Sequence, residues 1–405
     1  MAKMLIGGEL VDSVSKDTYE VRNPATGAVV DTAPKGNEKD VLQAIQAAET
    51  AFKEWSDVTA EDRGNALMSA CELIKKNSGE IAQLLTQEQG KTLFRSRFGN
   101  SPPGSRSGIL CRARLESPRR SRAATTKRCL RHGRAAAHRH LRRDRALEFS
   151  LTLMGTKLGP ALAAGNTIII KPASTTPLAT VRAIELIQQA TFGEGKAQKQ
   201  MTKGAVNVVT GPGSTVGEEI LRNPRIRRIA FTGSTPVGRH VMEVAGREIK
   251  RVTLELGGSD PMIVMEDANL DMAVKMADIG RFFNCGQMCL GVKRLFLHES
   301  VAEKFVGGLV EILKKKTVGN GMSKETRMGP IHIESQRQEV EEQVEDAKSR
   351  GAKTIFGGER AKGGDLDKGY FYLPTLLSDV PDDAQCHQGR GFWSGAACLH
   401  VQDYR

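Results

Sequence analysis

Two side chains in this sequence could do covalent chemistry together. Cys289 closes the run Phe283-Asn284-Cys285-Gly286-Gln287-Met288-Cys289, and Glu255 stands in Leu254-Glu255-Leu256-Gly257-Gly258. A thiol becomes a strong nucleophile once it gains thiolate character. A carboxylate beside two glycines is free to swing and to take a proton from water. Plainer readings stand beside these. A cysteine is commonly a buried structural residue, a glutamate before glycines is commonly a surface turn, and Cys285 and Cys289, four apart, could form a redox pair. A third run, Phe231-Thr232-Gly233-Ser234-Thr235-Pro236-Val237-Gly238, lies between an expected strand and an expected helix. Glycines at 233 and 238 allow a tight turn and close backbone approach, and the helix N-terminus beyond offers free N–H groups to a pyrophosphate. Lacking the GxGxxG spacing, it equally fits an ordinary strand–helix turn.

The elements that must carry these groups alternate. Residues 5–30 read as two short strands around a turn. An amphipathic helix is expected over 38–55, with Val41, Ile45, Ala48 and Phe52 on one face, and a second helical stretch over 61–89. Strands are expected at 166–172, 205–211 and 228–233, separated by helices at 177–189 and 216–222 and followed by one from Val237. After residue 252 the pattern restarts, with strands at 261–265 and 294–298 and helices at 269–283 and 301–315. Strand–helix alternation of this kind implies an α/β fold with a doubly wound parallel sheet and a second α/β domain. Cys289 would then sit just past a helix end, and Gly233 just past a strand end.

The 405 residues are too many for one simple core. No apolar run is long enough for a membrane span, and the N-terminus lacks the apolar stretch of a signal peptide, so a cytoplasmic location is expected. Seven irregularly spaced cysteines suggest neither a disulfide framework nor a zinc site. The net charge of +12 raises the possibility of nucleic-acid binding, but residues 95–145 alone carry +14, leaving the rest at −2. That segment has one aromatic residue, Phe98, and no apolar periodicity, so a basic loop is expected there rather than a specific nucleic-acid site.

Taken together, and with Cys289 placed 34 residues after Glu255, the three motifs resemble those of the NAD(P)-dependent aldehyde dehydrogenase superfamily. Asn23-Pro24-Ala25-Thr26-Gly27, Lys157-Leu158-Gly159-Pro160-Ala161-Leu162-Ala163-Ala164-Gly165-Asn166 and Ile170-Lys171-Pro172-Ala173 match as well. The resemblance covers roughly 1–94 and 149–385. It implies a cofactor domain over 1–94 and 149–253 and a catalytic domain over 254–385. It also implies Cys289 as nucleophile and Glu255 as general base, with Cys285 a non-catalytic neighbour. Cys289 would form a thiohemiacetal with an aldehyde, hydride would pass to the nicotinamide, and Glu255 would activate water to hydrolyse the thioester. Lys171 would bond the adenosine ribose, Gly211 lie near the adenine and Ser234 meet the pyrophosphate. Gly233, Gly238 and Leu256 complete the cofactor set, with NAD or NADP as cofactor and no metal. Ser174 stands where NAD-preferring relatives often carry Glu, so NADP is expected to be accepted. The Cys289-Leu290-Gly291-Val292-Lys293-Arg294 run resembles lactaldehyde and non-phosphorylating glyceraldehyde-3-phosphate enzymes, and succinate semialdehyde enzymes are a further possibility. A small-molecule aldehyde is the expected partner, with no nucleic acid and no membrane, and the parent family is homo-oligomeric.

Two stretches depart from the family pattern. Residues 95–148 replace its bridging region, and 386–405 form an aberrant tail. The oxyanion-hole Asn falls on Glu148, a carboxylate that cannot donate when ionised. Codons for Ala146–Leu151 and for Gly389–Gly395, each shifted by one base, read Pro-Trp-Asn-Phe-Pro and Glu-Glu-Val-Phe-Gly-Pro, the family's own motifs. Both stretches are therefore read as frameshifted, which leaves a cofactor-binding but catalytically dead protein as the rival to an active enzyme.

Overall fold

The computed structural model describes residues 1–93, 150–388 and 398–404. Two antiparallel hairpins open the chain, β1 (Met4–Ile6) with β2 (Glu9–Val11) and β3 (Thr18–Arg22) with β4 (Val29–Pro34). Helix α1 (Glu38–Trp55) starts at a capping box in which Asn37 accepts the Lys39 N–H and Asp40 accepts the Asn37 N–H. Its Val41, Ile45, Ala48 and Trp55 are buried. The stretch expected as one helix over 61–89 is two, α2 (Ala60–Lys76) and α3 (Ser78–Gln89). Apolar spacing runs through the joint, but the Asn77 amide turns back onto the Leu73 carbonyl at 2.8 Å and ends α2.

The next elements alternate. They are α4 (Ser150–Ala163), β5 (Ile168–Ile170), α5 (Leu178–Gln188), a small hairpin of β6 (Thr191–Phe192) and β7 (Lys199–Gln200), β8 (Val206–Val208), α6 (Glu218–Arg222), β9 (Arg228–Thr232), α7 (Thr235–Arg247) and β10 (Arg251–Glu255). β5 and β8 pair in parallel, β1 and β2 extend their sheet antiparallel, and β9 and β10 form a second parallel pair. Every residue of β5 and β8 is buried, as strands covered by helices on both faces require. Trp55 locks α1 to α4 by donating its indole N–H to the Leu162 carbonyl at 3.2 Å.

A second core gathers around β11 (Asp260–Val264), α8 (Leu270–Phe282), β12 (Val292–His298), α9 (Glu299–Lys314) and α10 (Glu334–Ser349). β13 (Lys353–Phe356), β14 (Thr375–Ser378), the short α11 (Gln385–Gln388) and β15 (Cys398–Tyr404) complete the described chain. The five-stranded sheet runs β11-β12-β15-β14-β13 and is parallel except between β13 and β14.

The tail set apart at 386–405 thus contributes the middle strand of this sheet. Strand pairing is made by the backbone, and seven residues that include Cys398, Leu399, Val401 and Tyr404 satisfy it without the family motif. The basic segment 95–148, Glu148 and Gly389–Gly395 lie outside the described residues. Among the described residues no helix is long and apolar enough to cross a membrane, and no cluster of three or more His, Cys, Asp and Glu could hold a metal ion.

Candidate active site

Lys171, Ser174 and Gly211 meet at the carboxyl ends of β5 and β8, where open α/β sheets bind ligands. Lys171 is buried, and its ammonium donates to the Pro172 carbonyl at 3.1 Å. Ser174 Oγ donates to the Gly211 carbonyl at 2.8 Å. Gly211 has φ +134°, and a Cβ there would lie 2.8 Å from the Gly36 carbonyl and from a Val216 methyl, so glycine is required on two counts. Next along, β9 delivers Gly233 and Ser234 to the start of α7. The first turn of α7 carries no acidic side chain, which leaves its positive end open to an anion. Gly238 is buried on Leu256, whose Cδ2 lies 2.6 Å from where a Cβ would stand. The Gly233 N–H bonds the Glu255 carbonyl at 3.0 Å, extending the β9–β10 ladder. The seven residues proposed for the cofactor lie at or just past the carboxyl ends of the parallel pairs β5–β8 and β9–β10 and in the start of α7, where side chains on Gly211, Gly233 and Gly238 would collide with Gly36 and Val216, Phe231 and Leu256. A helix start free of acidic side chains fits the pyrophosphate of a dinucleotide.

The loops that carry Cys289 and Glu255 meet through strand register. β11 and β12 are parallel neighbours that begin side by side, Asp260 opposite Val292. Glu255 lies five residues before Asp260 and Cys289 three before Val292, so both loops enter at one end of the pair. Lys293 and Arg294 stitch the loops together. The Lys293 ammonium donates to the Gly258 carbonyl, and Arg294 donates to the Ser259 carbonyl at 2.9 Å. Position 258 also faces the Cys289 carbonyl, 3.6 Å from a Cβ placed there. Glu255 is exposed and Cys289 half-buried, so solvent and substrate can reach both.

Three successive residues ahead of Cys289, namely Asn284, Cys285 and Gly286, have φ of 53°, 57° and 72°. For the two non-glycines this costs about 1–2 kcal/mol each. Gln287 holds the turn in place. Its amide donates to the Asn284 carbonyl at 3.0 Å and the Pro330 carbonyl at 3.4 Å, and its Oε1 accepts the His332 N–H at 2.9 Å. The turn sends Cys285 inward, where burial pushes its thiol up to about 12 despite the nearby Arg281 and Lys316 cations. A thiol so placed stays protonated, so the two cysteines have opposite environments. Lys157, whose ammonium donates to Thr232 Oγ1 at 2.6 Å, and the Lys293, Arg294 and Gln287 anchors were not singled out from the sequence. Their motifs were visible, but their partners lie far along the chain.

The matches to known proteins agree with this geometry. The profile of the Aldehyde dehydrogenase family matches residues 10–105 and 146–392. The chain belongs to the aldehyde dehydrogenase family. It is 34% identical to a glutarate-semialdehyde dehydrogenase of Pseudomonas putida, over 98% of this chain and 80% of that protein. It is 32% identical to a succinate-semialdehyde dehydrogenase [NADP(+)] of Escherichia coli, with the same coverage. Among solved structures, an NADP-dependent enzyme of E. coli superposes with TM-score 0.87 at 31% identity, covering all of this chain and 80% of the other. A betaine aldehyde dehydrogenase from Staphylococcus aureus in complex with NAD+ gives TM-score 0.87 at 28% identity, covering all of this chain and 78% of the other. The aldehyde dehydrogenase reaction, oxidation of an aldehyde to a carboxylic acid with NAD or NADP, is thus the chemistry of this fold.

Proposed function

We propose that Cys289 is the nucleophile and Glu255 the general base of an NAD(P)-dependent aldehyde oxidation. The observation that carries this reading is the side-by-side entry of their two loops into β11 and β12, clamped by Lys293 and Arg294. Cys289 Sγ bonds the aldehyde carbon. The nicotinamide cofactor, when bound, accepts hydride. Glu255 then takes a proton from water as its oxygen adds to the thioester carbonyl, and the acid departs as the Cys289 thiolate is restored. Lys171, Ser174, Gly211, Gly233, Ser234, Gly238 and Leu256 hold the dinucleotide, Lys171 at the adenosine ribose and Ser234 at the pyrophosphate. The neutral Ser174 hydroxyl offers no charge against a 2′-phosphate, which supports use of NADP.

The substrate we take up first is a small semialdehyde carrying a carboxylate, because the P. putida and E. coli relatives are named for glutarate and succinate semialdehyde. The protein acts in the cytoplasm, and oligomerisation follows the parent family only if the bridging region is restored. Glu148 favours a slow enzyme over a fast one, because loss of one oxyanion donor lowers kcat by about 10²–10³. The test is intact-mass analysis of Glu255→Gln after mixing with semialdehyde and NADP+. An acyl adduct on Cys289 that persists in the variant and clears in the parent chain supports the assignment. An adduct that clears equally fast in both contradicts the role of Glu255.

A further inference from the structure

A buried carboxyl group outside this machinery holds one wall of it. Glu88, in the last turn of α3, is wholly buried. Its Oε2 accepts the Leu178 N–H at 2.7 Å and its Oε1 the Ala179 N–H at 3.1 Å. These are the first two N–H groups of α5, which have no partner within their own helix. The N-cap residue of α5 is Pro177, which has no side-chain acceptor to offer. Glu88 therefore caps α5 from another helix. The loop it secures is Lys171 to Pro177, which is tied at its other end to β5 and in its middle by Ser174 to Gly211.

Resting on the cofactor reading of that loop, we propose that Glu88 is a positioning residue for NADP, holding Lys171 and Ser174 where they receive the adenosine ribose. The Tyr19 hydroxyl is buried beside Glu88, and burial pushes its ionisation up. The cap gives the loop one conformation. Without it, only a fraction of molecules holds the binding-competent form, and the apparent Kd rises by the inverse of that fraction.

Glu88→Gln keeps the volume but presents one acceptor oxygen and one NH2 to two N–H donors, leaving one donor unmet. Calorimetry with NADP+ on the intact chain should show Kd raised about tenfold, the scale of one buried unmet donor. Amide exchange at 172–179 should quicken, while the alkylation rate of Cys289 without cofactor stays at the parent value. A role confined to stability would lower Tm and leave the Kd unchanged, and a Kd within about twofold of the parent, below the scale of one lost hydrogen bond, overturns the proposal. Glu88→Asp, which keeps the carboxyl but withdraws it from both N–H groups, gives the same reading if the Gln variant does not fold. Lys171→Ala separates the two claims. If it weakens NADP+ binding and neither Glu88 variant does, the loop binds cofactor and Glu88 does not position it. If it has no effect, or the parent chain binds no NADP+, the cofactor reading fails and the proposal with it.

Discussion

Two buried titratable groups should make the acid stability of this protein deceptively flat, and removing either should reveal the other. Burial pushes the His332 imidazolium down from 6.5 to about 4. Neither ring nitrogen reaches hydrogen-bond geometry with a described residue, and the Gln89 backbone is a weak counterweight. Burial also pushes the Glu88 carboxyl up from 4.5 to about 8, against the pull of its two N–H donors. Between 4.5 and 6.5 the effects oppose. At His332 the unfolded chain binds the extra proton, so stability falls as pH falls through this window. At Glu88 the folded chain binds the extra proton, so stability falls as pH rises. Each slope approaches one proton, about 1.4 kcal/mol per pH unit, and they nearly cancel. Urea unfolding of the parent chain, His332→Phe and Glu88→Gln at about pH 5 and pH 6 measures this directly. Relative to the parent, His332→Phe should become less stable on going to the higher pH, by about 1.4 kcal/mol. Glu88→Gln should become more stable by a similar amount. The same pH dependence in all three proteins would refute the assignment of either group as buried with a shifted pKa.

Other expectations follow from the site. Iodoacetamide near neutral pH should modify Cys289 and spare Cys285, as peptide mapping will show; equal labelling would contradict the inward turn at 284–286. Ser174→Glu should raise the KM for NADP by about tenfold or more while NAD is retained, since a carboxylate there repels the 2′-phosphate. Glu148→Asn should raise kcat with semialdehyde, toward the about 10²–10³ that one oxyanion donor supplies, and an unchanged kcat would show that position 148 is not at the oxyanion.

Much of the architecture was readable because periodicity reports burial. Val41, Ile45 and Ala48 place α1 to the residue, and the apolar run of β5 announces a strand covered on both faces. Where apolar spacing was silent, boundaries slipped. The break at Asn77 is made by a side-chain amide bonding to its own helix, which leaves the apolar pattern intact. β15 was missed because a sheet vacancy between β12 and β14 asks for a pairable backbone, not for a motif. The proposed nucleophile, base and cofactor-binding glycines were legible only as linked motifs matching a known family. Their supports were not. Glu88 and Gln89 look like an ordinary polar helix end, yet the first caps α5 and the second donates to Asn284 at 3.3 Å. Lys293 reads as a charged strand residue, yet it is buried against the base loop. Such contacts span distances that no local pattern encodes.

The central claim is that Cys289 performs the oxidation. Formation of NADPH from NADP+ and succinate or glutarate semialdehyde, followed at 340 nm for the parent chain with Cys289→Ala and Cys285→Ala alongside, tests it most directly. The account predicts a slow, aldehyde-dependent rate in the parent chain and in Cys285→Ala, and none in Cys289→Ala. The same rate in all three, or a loss confined to Cys285→Ala, would contradict it.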